Sequence, residues 1–522
     1  MSQQKYPIGI QSFPSIIEEG YTYVDKTHFI AQLIKEGKYI FLSRPRRFGK
    51  SLLLSTIHTY FDGRRDLFKG LAIDSMDMEW TPKPVLHFDF NSGLYDQSDG
   101  LEEKIDDTLS YYENQYGLNL HAERNVVTRF GNLIRNIHNK TGKKVAILVD
   151  EYDKPLLGLE VNAEQFEKNQ ILLKGFFSNL KSMDGYIQFA ILTGVARFSR
   201  VSIFSDLNNL RDISMYDRYQ EICGLTEEEL TTHFQNGIME LAENREESYE
   251  KTLECLRGFY DGYLFSHKGR RLYNPFSVMM ALDSKEIKSY WFETGTPTFL
   301  AKWVKKNGIY PRELNEVMAT DEDLVCVGFD SMNPVPLMFQ TGYLTIESYD
   351  RESQFYTLCF PNREVKTGFF NNLLPLYAPA TAQRGNPFDF TLFKRDLIKG
   401  HIEDFMQRLA ILLKNLPGED HCESTYRAIT YLLAVLCGTD TISEHHGYKG
   451  RSDIEVVAGN YVYIFEFKYN KSVGEAMEQI YSRDYAGRYG IDPRTVYIIG
   501  ANYNETKDKR GLEYEIDMLR NA

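Results

Sequence analysis

The chain has little cysteine. Six residues (Cys223, Cys255, Cys326, Cys359, Cys422 and Cys437) are scattered over 522 positions, with no Cys-x-x-Cys among them. That excludes a zinc knuckle and a dense disulfide framework, and leaves reduced, mostly buried thiols. It also lacks any run approaching the roughly 18 apolar residues of a membrane span. The opening MSQQKYPIGI has no apolar stretch of the secretory-signal kind. The expectation is a cytoplasmic protein with no membrane partner. Basic residues are in deficit, 60 Lys and Arg against 73 Asp and Glu, for a formal charge of -13. This argues against general adhesion to nucleic acid, but leaves room for a local basic cleft on an acidic body. No internal repeat and no low-complexity segment occurs.

What is present is ordinary folding material, 43% hydrophobic and 14% aromatic, in a chain too long for one core. KYIFLS (38–43), PVLHFDF (84–90), VAILVD (145–150) and YIQFAILT (186–193) are short apolar runs separated by longer helical patterns. This alternation predicts an α/β fold with parallel strands covered on both faces. From about residue 216 the pattern becomes helical with acidic exposed faces, and Thr226 with Glu229 has capping-box spacing. Residues 286–378 read as mixed α+β. There LMFQTGYLTIESYD and SQFYTLCFPN suggest a hairpin turning at YDRES. APATAQRGNPFD (378–389) reads as a linker. Helices are expected over 391–437, strands at 454–457 and 461–467, a helix at 472–489 and a strand at 495–500.

LSRPRRFGKSLLLST (42–56) is a strand end, a loop and a helix start in that order. Phosphate binding needs this order, because backbone N–H groups and the positive helix end must face the anion. In such a loop Lys50 reaches the outer phosphates and Ser51 holds magnesium, with Gly49 at the junction. Arg44 stands where these loops normally begin with glycine, and Pro45 supplies no N–H. Arg44, Arg46 and Arg47 are candidates for extra phosphate charge, with Phe48 inside the same loop.

VAILVDEYDKP (145–155) ends an apolar strand in Asp150-Glu151. An ATPase needs a carboxylate at the end of a neighbouring strand to hold hydrated Mg²⁺, and a second to activate water. Asp150 and Glu151 are the candidates for these two roles. Thr193 ends another strand and is a candidate contact for the γ-phosphate or water. Arg197 and Arg200 follow it and could stabilise developing charge.

YTYVDKTHFI (21–30), LSRPRRFGKSLLLST, VDEYDKP, LTGVARFS and LYNPFSVMMAL (272–282) resemble the bacterial AAA-ATPase-like family over roughly the first 280 residues. The resemblance implies a P-loop core with a helical lid, binding ATP and Mg²⁺, and a small winged-helix-like middle unit. It also leaves open a homo-oligomer, since AAA-type sites often borrow a neighbour's arginine; Arg197 or Arg200 is the alternative in cis. Tyr23 and Asp25 are weighed as nucleotide-seating or structural residues.

GRSDIEVVAGNYVYIFEFKYN (450–470) carries the second cluster. Residues two apart on a strand share a face, so Glu466 and Lys468 point together and Phe467 points away. Asp453 opens the paired strand. Two carboxylates beside a lysine suit Mg²⁺ or Mn²⁺ and phosphodiester cleavage. The stretch resembles the PD-(D/E)xK nuclease superfamily over about residues 400–505. By that resemblance Glu423 stands at the upstream acid and Gln479 at the helix glutamine. Lys449, Arg451, Arg483 and Arg488 are candidates for a phosphate groove. His445 and His446, being adjacent, would point oppositely on a strand and do not make a joint site.

The domains expected are therefore 1–215, a P-loop AAA-ATPase-like core; 216–285, a helical lid; 286–378, the winged-helix-like middle region; and 390–522, a nuclease-like domain. The function expected is an ATPase coupled to a metal-dependent nuclease acting on DNA or RNA. The rival is a nucleotide-switched module that grips nucleic acid or protein without cutting.

Overall fold

The computed structural model describes residues 4–118, 125–157, 159, 162–197, 209–291, 298–325, 334–382, 389–416, 423–437, 453–490, 492–505 and 510–519. The chain divides into two compact units: Met1–Gly295 with Glu316–Val365, and Thr296–Asn315 with Lys366–Ala522. Among the described residues no helix is long and apolar enough to cross a membrane. Cys223, Cys255, Cys359 and Cys437 are free thiols; Cys326 and Cys422 lie outside the described residues.

The first unit is built on β1 (Tyr39–Ser43), β2 (Val85–Asp89), β3 (Val145–Asp150), β4 (Ile187–Gly194) and β5 (Arg211–Asp212). All pairings are parallel and the order is β2-β3-β4-β1-β5. β3 is buried at every residue, as continuous apolar strands between two helical layers must be. One expectation changes here. The Asp150 strand is not the neighbour of the phosphate-loop strand, because β4 lies between them. Chain order cannot reveal this, since a crossover helix may carry the chain past several strand positions. The order reverses beside β1, so the carboxyl ends of β1, β3 and β4 form the crevice in which α/β sheets place ligands.

The helical region after residue 216 contains Glu227–His233, Gln235–Asn244, Tyr249–Tyr260 and Pro275–Ser284. Thr226 and Glu229 form a reciprocal capping box. Leu230, Phe234, Ile238, Leu256, Val278 and Leu282 share one buried cluster. In β7 (Thr345–Asp350) and β8 (Phe355–Cys359) the expected hairpin is present, flanked by β6 (Val317–Ala319). The first half of the predicted strand, however, is the helix Val335–Thr341, which ends at Gly342 in the left-handed region (φ 87°).

The second unit holds helices Phe390–Ile398, Ile402–Lys414 and Glu423–Cys437. Its sheet runs β12-β11-β10-β9, from β9 (Ile454–Ala458), β10 (Tyr461–Tyr469), β11 (Thr495–Glu505) and β12 (Arg510–Leu519). β10 and β11 are parallel; the outer pairs are antiparallel. Val462 and Ile464 pack with Met477 and Ile480 of helix Val473–Ser482. The opposite face sets Phe465 against a tilted Phe405 ring, and the Tyr463 hydroxyl donates to the Leu397 carbonyl at 2.6 Å. The sequence predicts no strand after 500, yet RGLEYEIDML pairs along β11. Half of the predicted linker, 383–388, lies outside the described residues.

Candidate functional site

Gly49 has φ 93° and precedes helix Lys50–Phe61. Nothing crowds its Cβ position, so it is the left-handed backbone that favours glycine there. The helix start opens on a cleft of about 360 Å³, within the range of small-molecule pockets. Arg46, Arg47, Phe48, Gly49, Lys50 and Ser51 border it. Glu151 and Lys154 face it from the β3 exit; Tyr23, Ile222 and Phe276 form its apolar part.

The Lys50 ammonium donates to the carbonyls of Arg44 (3.1 Å) and Pro45 (3.3 Å) and lies 3.4 Å from Glu151 Oε1. Burial pushes the Glu151 carboxyl up, but Lys50, Arg46 and Lys154 outweigh it and hold the group below its ordinary value. Glu151 (φ 51°) and Arg47 (φ 68°) both have left-handed backbones without being glycine. Such conformations persist only when the surroundings enforce them, and they cluster at functional sites. For Arg47 the support includes stacking, its guanidinium lying 4.5 Å from the Phe276 ring centroid.

The other predicted residues are placed as follows. Asp150 is 4% exposed and lies behind the cleft lining. Its Oδ1 accepts from Thr193 Oγ1 at 2.7 Å and from the Glu151 amide at 3.1 Å, so Thr193 orients Asp150. Phe48 is buried edge-on to Tyr263 and Phe265. Arg197 is not brought to the cleft. It pairs with Asp212 and lies over the Phe41 ring, because the β4 exit passes toward the β5 side of β1. Arg200 lies outside the described residues. Arg44 does not supply phosphate charge: its buried guanidinium donates to the carbonyls of Ser43, Ser214, Tyr219 and Gln220. Burial lowers its pKa to about 10. Asp25 bonds the amides of Thr27 and Ala72, a structural role, whereas half-buried Tyr23 borders the cleft and its hydroxyl is pushed up by desolvation.

In the second unit, Glu466 and Lys468 share a face of β10. Lys468 Nζ donates to Glu466 Oε1 at 2.8 Å and to Gln479 Oε1 at 2.6 Å. Gln479 Nε2 donates in turn to the Tyr485 hydroxyl at 3.2 Å. Asp453 precedes β9, and its Oδ2 accepts the Phe467 amide at 2.8 Å. Burial first, and then the Asp453 charge, push the Glu466 carboxyl up against the pull of Lys468. Glu466 Oε2 is buried without a hydrogen-bond partner among the described residues. An unsatisfied carboxylate oxygen beside a second carboxylate fits a hard cation with oxygen ligands. Glu423 begins helix Glu423–Cys437; its side chain lies outside the described residues, as do Lys449, Arg451, His445, His446 and the side chain of Arg488. Arg483 donates to Tyr485 at 3.4 Å.

Three groups near the two sites carry no expectation from sequence. Arg427 lies 3.8 Å from Asp453 Oδ1, and Arg312 donates to the Asp453 carbonyl at 3.4 Å. Arg427 is four residues after Glu423, a spacing that repeats on one helix face; Arg312 comes from a distant segment and leaves no such signal. Asp153 is fully buried beside the β3 exit, and the third acid of VDEYDKP was the visible cue.

Residues 7–204 match the family described as "Predicted AAA-ATPase", and residues 421–513 match the PD-(D/E)XK nuclease superfamily. LYNPFSVMMAL falls outside the first match. The "Uncharacterized protein in vnfD 5'region" of Azotobacter chroococcum mcd 1 is 35% identical over 529 residues, covering 98% of each chain. With a parallel sheet ending in the Lys50 loop, and a second sheet carrying Asp453, Glu466 and Lys468, the chain belongs to the AAA-ATPase-like family and bears a PD-(D/E)XK nuclease superfamily domain toward its C-terminus.

Proposed function

We propose that the chain hydrolyses ATP at the Lys50 loop and cuts nucleic-acid phosphodiesters at the Asp453–Glu466–Lys468 cluster. The nuclease half is carried by one observation: Lys468 is held between Glu466 and Gln479 with Asp453 alongside. The ATPase half is supported by the meeting of Lys50 and Glu151 at the cleft.

At the first site, loop amides and the helix start bind the phosphates, and Lys50 neutralises their outer oxygens. Ser51 would hold the Mg²⁺ that accompanies ATP, and Asp150, set behind the cleft lining and kept oriented by Thr193, would reach it through the ion's hydration water. Glu151 accepts the proton of the attacking water, since its neighbours keep it ionised. Tyr23, Ile222 and Phe276 cover the apolar part of the nucleotide.

At the second site, Asp453 and Glu466 would hold Mg²⁺ or Mn²⁺, and such a cation, when bound, polarises the phosphate and acidifies water. Lys468 orients the nucleophile and stabilises charge on the phosphate, and Gln479 fixes the Lys468 ammonium. DNA or RNA is the substrate class.

The test is cutting of labelled DNA and RNA, single- and double-stranded, with Mg²⁺ or Mn²⁺ and with or without ATP. Wild type should cut, and Asp453→Ala and Glu466→Ala should lose cutting while staying folded. A wild-type protein that binds these nucleic acids but never cuts them would instead establish the nucleotide-switched binding module.

A further inference from the structure

The loop leaving β4 is held in an unusual way. Val195 and Ala196 both donate their amides to Asp153 Oδ2, at 2.9 and 2.6 Å. The next amide, that of Arg197, donates to Gln340 Oε1 at 2.6 Å. Three consecutive buried N–H groups are therefore satisfied by two side chains rather than by a strand partner. Asp153 is 0% exposed and Gln340 7%. The remaining contacts close the arrangement. Tyr152 donates its hydroxyl to the Ala196 carbonyl at 2.8 Å and its amide to the Thr193 carbonyl at 3.0 Å. The Arg44 amide donates to the Gly194 carbonyl at 3.2 Å. The β4 exit is thus bonded both to the phosphate loop and to the segment carrying Glu151.

Gln340 belongs to helix Val335–Thr341, far along the chain. Its Nε2 donates to the Leu324 carbonyl at 2.9 Å, so the amide is fixed from both ends. At the end of that helix a Cβ on Gly342 would stand 2.6 Å from Pro45 Cγ. The helix therefore meets two loops of the nucleotide site, the β4 exit through Gln340 and the phosphate loop through Gly342. Asp153 also makes a poor stability device. Its Oδ1 is buried with no hydrogen-bond partner among the described residues, a costly arrangement for any polar atom. Gly194 accommodates it, since a Cβ there would lie 2.6 Å from that oxygen.

We propose that Asp153 and Gln340 are positioning residues of the ATPase, jointly holding the β4 exit loop so that the register of Thr193 and Asp150 with the phosphate loop depends on the module of residues 316–365. The inference rests on the ATPase reading above and adds that the nucleotide site is incomplete without that module. Misplacing catalytic groups by about 1 Å can cost on the order of 100-fold in rate, so loss of one anchor should be visible in turnover.

The experiment uses the full chain and measures kcat and KM for ATP together with hydrogen exchange. Gln340→Leu should lower kcat about tenfold or more while KM moves less than about threefold. Gln340→Glu keeps the acceptor for Arg197 and, protonated in its buried place, also a donor for the Leu324 carbonyl, and should recover most of the rate. Asp153→Ala should behave like Gln340→Leu, and Asp153→Asn, whose Oδ1 can take both amides, should stay near wild type. Amide exchange over 190–197 and over the phosphate loop should accelerate in Gln340→Leu. Wild-type kcat and unchanged protection in Gln340→Leu would overturn the proposal, as would a loss that Gln340→Glu fails to recover. If wild type itself neither binds nor hydrolyses ATP, the ATPase reading falls and takes the catalytic role with it; the clamp is then decided separately by exchange.

Discussion

The Lys50 ammonium stands 3.4 Å from Glu151 Oε1, joining the phosphate loop after β1 to the exit of β3 across the intervening strand β4. The Lys50 ammonium helps hold the Glu151 charge in a mostly buried place. The pair also sets Glu151 beside the cleft, whereas Asp150 is turned back toward Thr193.

Glu151→Gln should therefore separate binding from turnover. It removes the proton acceptor and frees Lys50 from its counter-ion. ATP affinity measured with a fluorescent analogue should hold or rise, while steady-state hydrolysis falls by about 100-fold or more. Equal loss of both would mean that Glu151 shapes the loop rather than the chemistry.

Arg44 invites the opposite of what the standard loop suggests. Restoring glycine by Arg44→Gly would not improve nucleotide binding, because the Arg44 side chain donates inward to four carbonyls. Hydrogen bonds from charged groups contribute about 1.5–3 kcal/mol each, and orphaned buried acceptors add cost. Urea unfolding should show Arg44→Gly destabilised by about 3 kcal/mol or more, and Arg44→Lys by somewhat less.

Glu466→Gln should abolish cutting and yet raise stability when a chelator is present. Glu466 is buried beside the Asp453 charge, and both raise its pKa. Neutralising it relieves repulsion that serves function rather than folding. Thermal denaturation at pH 8 should show a melting temperature at least equal to wild type. A clear drop would show that the carboxylate is a structural partner of Lys468.

Asp153 sets a pH dependence. Burial, and then the Glu151 charge, raise its pKa to about 7, against roughly 3.9 in an unfolded chain. An acid with a raised folded value stabilises the fold below its unfolded pKa and loses that contribution as pH climbs through the folded one. Between about pH 4 and pH 7 the native state holds the extra proton, so wild type should lose stability across this window relative to Asp153→Asn. Denaturant midpoints of the two proteins over a pH series check this; parallel curves would mean Asp153 is ionised throughout.

Much of the fold was legible because its signals are local. The core strand at 145–150 declared itself by an apolar run, and the helix after Gly49 by the strand, loop and Gly-Lys-Ser that precede it. Thr226 and Glu229 announced a cap that does form. Glu466 and Lys468 could be placed on one face because a strand alternates with period two. Less was legible where geometry is set by distant segments. Arg44 and Arg47 look alike in the sequence, yet one guanidinium is buried among carbonyls and the other stacks on Phe276. Arg197 looks like a nucleotide contact and pairs instead with Asp212.

The sequence by itself determined which short segments become strands and helices, and which loops carry glycine, lysine and paired acids. Those choices follow from backbone sterics and side-chain periodicity within a few residues. Only the tertiary structure decided that β4 separates the two nucleotide-site strands, that Glu151 rather than Asp150 faces the cleft, and that Gln340 completes the β4 exit loop. These depend on the lateral order of strands and on which buried amide finds which oxygen. Both are settled by packing many weak contacts at once, and no local stretch of sequence records the outcome.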